Sequence, residues 1–353
     1  MWRVSSQNST IASDRPQLRL GDTDNRADLQ GLHLGATARR ERTYRATTVK
    51  IAAPAVSHGN VARQEDVILK ASQISDTRAA AKPRLSVRQC RHGTMTYLRQ
   101  DAYVGRSFDE YGEYSEGEVD LFRQCLAPGD VALDVGANFG SHTLPMAQFV
   151  GATGFVHAFE PQRIVFQILC GNVALNELDN VRALPHAVGR SPGRTKIPPL
   201  NYGGRSNFGG VAIGGERGEE VEVVTLDQLK LPKVKFIKID VEGMELDVVL
   251  GAKATLARCR PILYVENDRV EKADALAARL LETGYRLWWH TPPLYNAENF
   301  LGNPLNVFGR IVSFNMLCLP QETAQAPAGL QEIKSAPDAS AFLRSLGVGG
   351  APS

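Results

Sequence analysis

The chain has 353 residues, 43% of them hydrophobic, and its 40 Lys and Arg nearly balance 38 Asp and Glu for a formal net charge of +2. That balance lacks the excess of one sign that nucleic acid or an anionic membrane surface attracts, and no run approaches the roughly 20 apolar residues needed to cross a bilayer. Five cysteines, at 90, 125, 170, 259 and 318, are odd in number and form no C-x-x-C pair, which argues against a disulfide framework or zinc centre and makes reduced thiols in a cytoplasmic setting the simplest expectation.

Residues 1–85 mix Ser, Thr, Asn, Asp and Arg without sustained apolar periodicity, and are expected to form a disordered extension. They contain no continuous apolar segment of the kind a secretory leader needs. One or two strands are expected over 84–98. Val119, Leu121, Phe122, Cys125 and Leu126 then suggest a helix within Tyr111–Leu126, ending before Pro128-Gly129.

Val131 to Gly140 reads V-A-L-D-V-G-A-N-F-G, an apolar strand that runs into a glycine-punctuated turn. Gly136 and Gly140 allow the backbone to turn sharply and a ligand to come close, and the helix that follows offers unpaired N–H groups. A dinucleotide-binding turn carries G-x-G-x-x-G around a pyrophosphate. Here the pattern is D-x-G-x-N-x-G, and Asp134 at the strand's end repels a pyrophosphate but attracts an ammonium. The turn therefore suits a zwitterion such as the methionine end of S-adenosylmethionine. Pro145 is tolerated only in a first helical turn or at a kink, so the following helix is expected to start no earlier than about Ser141 or His142.

The second strand, 154–159, delivers Glu160 about 20 to 25 residues after the glycine turn, where doubly wound folds hold a ribose. A helix over 161–178 and a third strand over 181–188 follow. Asn201–Gly218 is a glycine-rich excursion, either a lid or a loose loop, with Asn207 and Gly209 facing the site if it closes. A strand over 221–225 leads to Asp227, a plausible helix cap. The fourth strand, 235–240, delivers Asp240 and Glu242 at a carboxyl end, where open parallel sheets bind ligands, while Glu245 is expected as a surface charge on the next helix. Lys238 inside that strand is expected to pair with a neighbouring carboxylate or to reach the strand's edge. The fifth strand ends at Glu266, an amphipathic helix spans 273–282, and two last strands, 286–290 and 313–319, flank the insertion 291–310.

The set D-V-G-A-N-F-G (134–140), F-E-P (159–161), T-L-D-Q-L (225–229), F-I-K-I-D-V-E-G-M-E (236–245) and R-P-I-L-Y-V-E (260–266) resembles the FkbM family of S-adenosylmethionine-dependent methyltransferases. The resemblance runs from about Tyr103 to Pro320 and includes Y-G-E-Y-S-E-G-E (111–118) and W-W-H-T-P-P-L-Y-N (288–296). It implies a class I methyltransferase fold, α/β, doubly wound, with a mostly parallel seven-stranded sheet and an antiparallel last strand. It also implies methyl transfer to a hydroxyl of a sugar, polyketide or similar metabolite; one domain is expected over 86–320 and a flexible tail over 321–353, which the resemblance does not cover. By the same resemblance Asp134, Gly136, Asn138 and Gly140 line the methionine end of the cofactor, Glu160 holds the ribose, and Ala187 and Val188 lie near the adenine. Asp240 and Glu242 rank first as general base and His290 third, with Tyr114, Asn207 and Trp289 toward the acceptor. No metal is expected. A nicotinamide-dependent oxidoreductase and a non-catalytic binding module are the alternatives.

Overall fold

Eight strands hydrogen-bond side by side in a computed structural model that describes residues 84–348. The extension expected over 1–85 lies almost wholly outside the described residues. A hairpin, β1 (Leu85–Cys90) and β2 (Gly93–Leu98), precedes helices α1 (Val104–Tyr111) and α2 (Glu116–Cys125). The main sheet takes β3 (Val131–Val135), β4 (Phe155–Phe159), β5 (Val181–Leu184), β9 (Phe236–Ile239), β10 (Ile262–Glu266), β11 (Tyr285–His290), β12 (Asn315–Pro320) and β13 (Gln331–Ile333). Their order is β13-β11-β12-β10-β9-β3-β4-β5, parallel from β10 to β5 and antiparallel at β11, β12 and β13. Between them run α3 (Thr143–Val150), α4 (Arg163–Leu175), α5 (Glu245–Leu250), α6 (Lys253–Cys259) and α7 (Val270–Glu282). This is the class I methyltransferase arrangement, with one strand more than expected.

The extra strand comes from the segment expected to be flexible. Gln331–Ile333 pairs with β11, and α8 (Ala336–Ser345) packs on α7 with Ala339 and Leu343 fully buried. Asp338 accepts the Ser335 backbone N–H at 2.8 Å, which caps that helix. Residues 321–348 are thus part of the domain.

Parallel strands covered on both faces read as continuous apolar runs, and Phe236-Ile237-Lys238-Ile239 in β9 is buried at every position. The expected third strand is divided: 181–184 joins the main sheet, while β6 (Ala187–Val188) pairs with β8 (Glu219–Val224) in a side sheet completed by β7 (Gly193–Ile197). Helix α3 begins at Thr143 and holds Pro145 in its first turn, as its missing N–H requires.

Two asparagines one turn apart on α4 meet the outer edge of β2. Asn172 Oδ1 accepts from Thr96 N at 2.7 Å while its Nδ2 donates to the Thr96 and Phe139 carbonyls, and Asn176 engages Thr94 N and O in the same way.

Candidate active site

The site is built where β3, β4, β6 and β9 end. Gly136 follows β3 with φ +87°, and a Cβ placed on it would stand 1.8 Å from the Asp240 carbonyl oxygen at the end of β9. Glycine is therefore required on two counts, conformation and space. Asn138 also has positive φ, +50°, and its N–H donates to Glu160 Oε2 at 3.0 Å. Glu160 Oε1 accepts from Gln162 N at 2.8 Å, so this buried carboxylate braces the glycine turn against the start of α4. Burial raises its pKa to about 7, opposed by those two N–H bonds.

A cleft opens between these turns. Gly136, Glu160, Gln162, His186, Asp240 and Glu242 give its polar wall, and Ala187, Val188, Val211, Ile213 and Met244 its apolar wall. The combination suits a nucleoside: an apolar slot for a base, a carboxylate at a strand end for ribose hydroxyls, and a glycine turn against which a chain without steric room to spare can lie. Gly136, Glu160, Ala187 and Val188 line it, whereas Asn138 and Gly140 are not among its lining residues. Gly209 lines it too, whereas Asn207 is exposed and spends its Oδ1 on Gly210 N. The excursion is anchored rather than loose. Buried Phe208 donates its N–H to Asp101 and accepts from Gln162 Nε2, and its ring stacks on Tyr202.

Asp134 does not open onto the cleft. It is fully buried, with Oδ2 accepting the Thr143 hydroxyl at 2.6 Å and Oδ1 3.5 Å from Lys238 Nζ. Lys238, itself 3% exposed, also lies 3.2 Å from Asp240 Oδ2 and donates to the Gly136 carbonyl at 3.0 Å. The lysine has the carboxylate partners expected of it, and Asp134 Oδ1, which accepts no hydrogen bond, lies beside its ammonium.

On the acceptor side, Asp240 keeps 36% of its side chain open. Glu242 stands in a left-handed conformation, φ +57°, followed by Gly243 at +94°, and its Oε2 is held by Arg269 at 2.7 Å. Burial, with Asp240 and Asp268 nearby, raises the Glu242 pKa to about 7. Backbone N–H groups of Val241 and Gly243 both donate to Glu245 Oε1, so Glu245 is a buried bracket of this turn and not a surface charge. Asp240, Glu242 and Glu266 each bring an oxygen within 4.8 Å of the others, and Lys238 and Arg269 already counter two of those charges.

His290 is 4% exposed, hydrogen-bonds the Tyr264 hydroxyl at 2.8 Å, and has its pKa lowered to about 4 by burial. It sits behind the mouth. Trp289 is corrected outright: it stacks on Phe342 of α8 at 4.8 Å, inside the core on the far side of the sheet. Tyr114 packs on His142 at 5.8 Å between α1 and α2, with the charges of Glu118, Asp240 and Glu266 around its hydroxyl. Asp227 caps α6, accepting from Ala254 N, Thr255 N and the Thr255 hydroxyl.

Sequence reasoning missed Glu118. It is buried on the first turn of α2, accepts from the Ser115 hydroxyl at 2.8 Å and Asn315 Nδ2 at 3.4 Å, and lies 3.5 Å from His142 Nε2. The signal was the run Y-S-E-G-E, in which Ser115 takes a left-handed conformation that glycine more often occupies.

A family model described as the methyltransferase FkbM domain matches residues 134–287. The hexuronic acid methyltransferase AglP of Haloferax volcanii is 29% identical over 178 residues, which cover 45% of this chain and 66% of that protein, just under two thirds of its length. Among solved structures, a methyltransferase FkbM from Methylobacillus flagellatus KT is 16% identical, with 62% of this chain and 55% of that one covered at a TM-score of 0.37. M. jannaschii TYW2 in complex with AdoMet is 11% identical, with 68% and 87% covered, also at 0.37.

Proposed function

We propose that the chain is an S-adenosylmethionine-dependent methyltransferase, a reading supported by the match of residues 134–287 to the methyltransferase FkbM domain, and that it methylates a hydroxyl oxygen of a sugar, in a glycan or small glycoside that contains hexuronic acid. The acceptor class rests on the likeness to a hexuronic acid methyltransferase. The observation that carries the reading is the approach of the Gly136 turn to the Asp240 carbonyl, which sets a cleft with a polar and an apolar wall beside a partly open carboxylate.

When bound, S-adenosylmethionine supplies a methyl group on a sulfonium, a good leaving group. This chain's residues hold and orient it: Gly136 by close backbone approach, Glu160 through ribose hydroxyls, and Ala187 and Val188 along the base. Asp240 would accept the proton of the acceptor hydroxyl, the oxygen that would receive the methyl group. Such a base contributes about 10²- to 10⁴-fold, and alignment several kcal/mol more. Asp240 is preferred over Glu242 because, although each is paired with one cation, Asp240 keeps 36% of its side chain open against 18% for Glu242, and over His290 because that ring is buried against Tyr264. Tyr114 flanks the acceptor.

The test uses isotopically methyl-labelled S-adenosylmethionine with a methyl hexuronoside and with a neutral methyl hexoside. Mass spectrometry should find the label on a hydroxyl oxygen of the hexuronoside, and Asp240→Asn should cut turnover about 100-fold or more with donor affinity within a few-fold. Label on neither sugar removes the acceptor assignment, and unchanged Asp240→Asn turnover removes the base.

A further inference from the structure

We propose that donor affinity in this chain is governed by Lys238, a positioning residue that fixes the glycine turn, and not by a direct contact from Asp134. The inference rests on the assignment of S-adenosylmethionine as the donor, and it concerns how the chain receives that molecule's amino end. An anionic side chain before a glycine turn invites the reading that it grips a ligand's ammonium. In this fold another ammonium already stands there.

Lys238 enters from the neighbouring strand, in register with Asp134. Its Nζ reaches three groups at once: the Gly136 carbonyl at 3.0 Å, Asp240 Oδ2 at 3.2 Å and Asp134 Oδ1 at 3.5 Å. Asp134 has no solvent-exposed surface, and its second oxygen is taken by Thr143. Lys238 is the cation paired with buried Asp134, and Asp240 pairs with the same lysine, so putting a ligand's amino group in its place means separating a buried ammonium from two carboxylates.

The lysine instead acts on the backbone. Gly136 N donates to the Phe159 carbonyl at 3.0 Å, and the Gly136 carbonyl accepts from Lys238. The positive-φ glycine is thus held from β4 on one side and from β9 on the other. A turn fixed in its receiving shape before the ligand arrives loses less freedom on binding, and Asp134 contributes by keeping the lysine charged and in place. The same ammonium orients Asp240, so donor turn and acceptor-side acid share one anchor.

The experiment is calorimetric titration of S-adenosylmethionine into the full chain and three variants, Asp134→Asn, Lys238→Met and the double variant, each with its thermal unfolding recorded. Asp134→Asn is expected within threefold of the parent affinity, because Lys238 keeps Asp240 and the Gly136 carbonyl. Lys238→Met is expected to weaken binding at least tenfold, and the double variant to bind no worse than Lys238→Met. If Lys238→Met fails to fold with Asp134 left unpaired, the double variant decides: at least tenfold weaker than Asp134→Asn supports the inference, and within threefold overturns it. A tenfold or greater loss in Asp134→Asn with an unchanged melt, repeated in the Lys238→Met background, restores the direct contact and overturns the inference alone. A parent chain that binds no S-adenosylmethionine overturns the donor assignment and the inference with it.

Discussion

Replacing Gly136 by alanine tests the architecture of the cleft most directly. The new methyl would stand 1.8 Å from a main-chain oxygen, Asp240 O, where contacts below 3.0 Å force a shift, so β3 and β9 must part at their carboxyl ends by more than about 1 Å. No flexible side chain can absorb that movement. Alanine at φ +87° adds about 1–3 kcal/mol of backbone strain, and the overlap about 1–3 kcal/mol more. The sum, roughly 2–6 kcal/mol, lowers the melting temperature by about 4 °C at the least for a domain of this size. It also displaces the wall shared by donor and acceptor, so S-adenosylmethionine affinity should fall about 100-fold or more. Differential scanning calorimetry and isothermal titration give both numbers. Gly171→Ala is the control: it lies in α4 with nothing within 4 Å of the added methyl, and should stabilise by about 1 kcal/mol through helix propensity. A Gly136→Ala protein that melts within about 2 °C of the parent and binds the donor within threefold would refute the account of the turn.

Glu160→Gln replaces an acceptor of two backbone N–H bonds by a group that can accept only one, so donor affinity should weaken about tenfold, 1–3 kcal/mol, in a titration at pH 7; unchanged affinity would reduce Glu160 to a local brace. Burial raises the Glu118 carboxyl from an ordinary 4.5 to about 7, so its protonated form is the one the fold favours. Its stabilising contribution is complete below about pH 4.5 and is lost as pH rises through 7; Glu118→Gln should accordingly melt like the parent near pH 4.5 and be more stable by up to about 3 kcal/mol at pH 8. A constant difference across that range would show that Glu118 does not titrate as described. Asp227→Ala removes three hydrogen bonds from the start of α6 and should cost about 1–2 kcal/mol in urea unfolding without altering donor affinity.

Much of this arrangement was legible because its signals are local. An apolar strand before D-x-G-x-N-x-G places the cleft without any tertiary information, and Pro145 dates the start of α3 to within two residues. What could not be read is which face of an element meets which neighbour. Trp288, Trp289 and His290 alternate correctly for a strand, but period two does not say that Trp289 turns toward α8, a helix whose sparse apolar residues looked like a tail. Helix α1 was hidden for a related reason: Val104, Phe108 and Tyr111 recur at helical spacing, yet the N-cap position holds Tyr103, and Gly112, inside the segment Tyr111–Leu126 read as holding one helix, ends α1 in a left-handed conformation. Asp134 illustrates the deeper limit. Its place at the end of β3 is local information, but the ammonium beside it comes from a strand about a hundred residues later.

The pair of carboxamides that α4 offers to β2 has a consequence beyond holding a hairpin. An unpaired strand border is an invitation to other chains, and Asn172 and Asn176 answer it by imitating two successive peptide groups, donor and acceptor alike. The ladder is terminated chemically, with no further strand to propagate. Because Asn172 also clasps the Phe139 carbonyl, the blunted border and the entrance to α3 are locked to a common rod, and a lesion at Asn172 should show itself as self-association and as loosened nucleoside capture in the same protein.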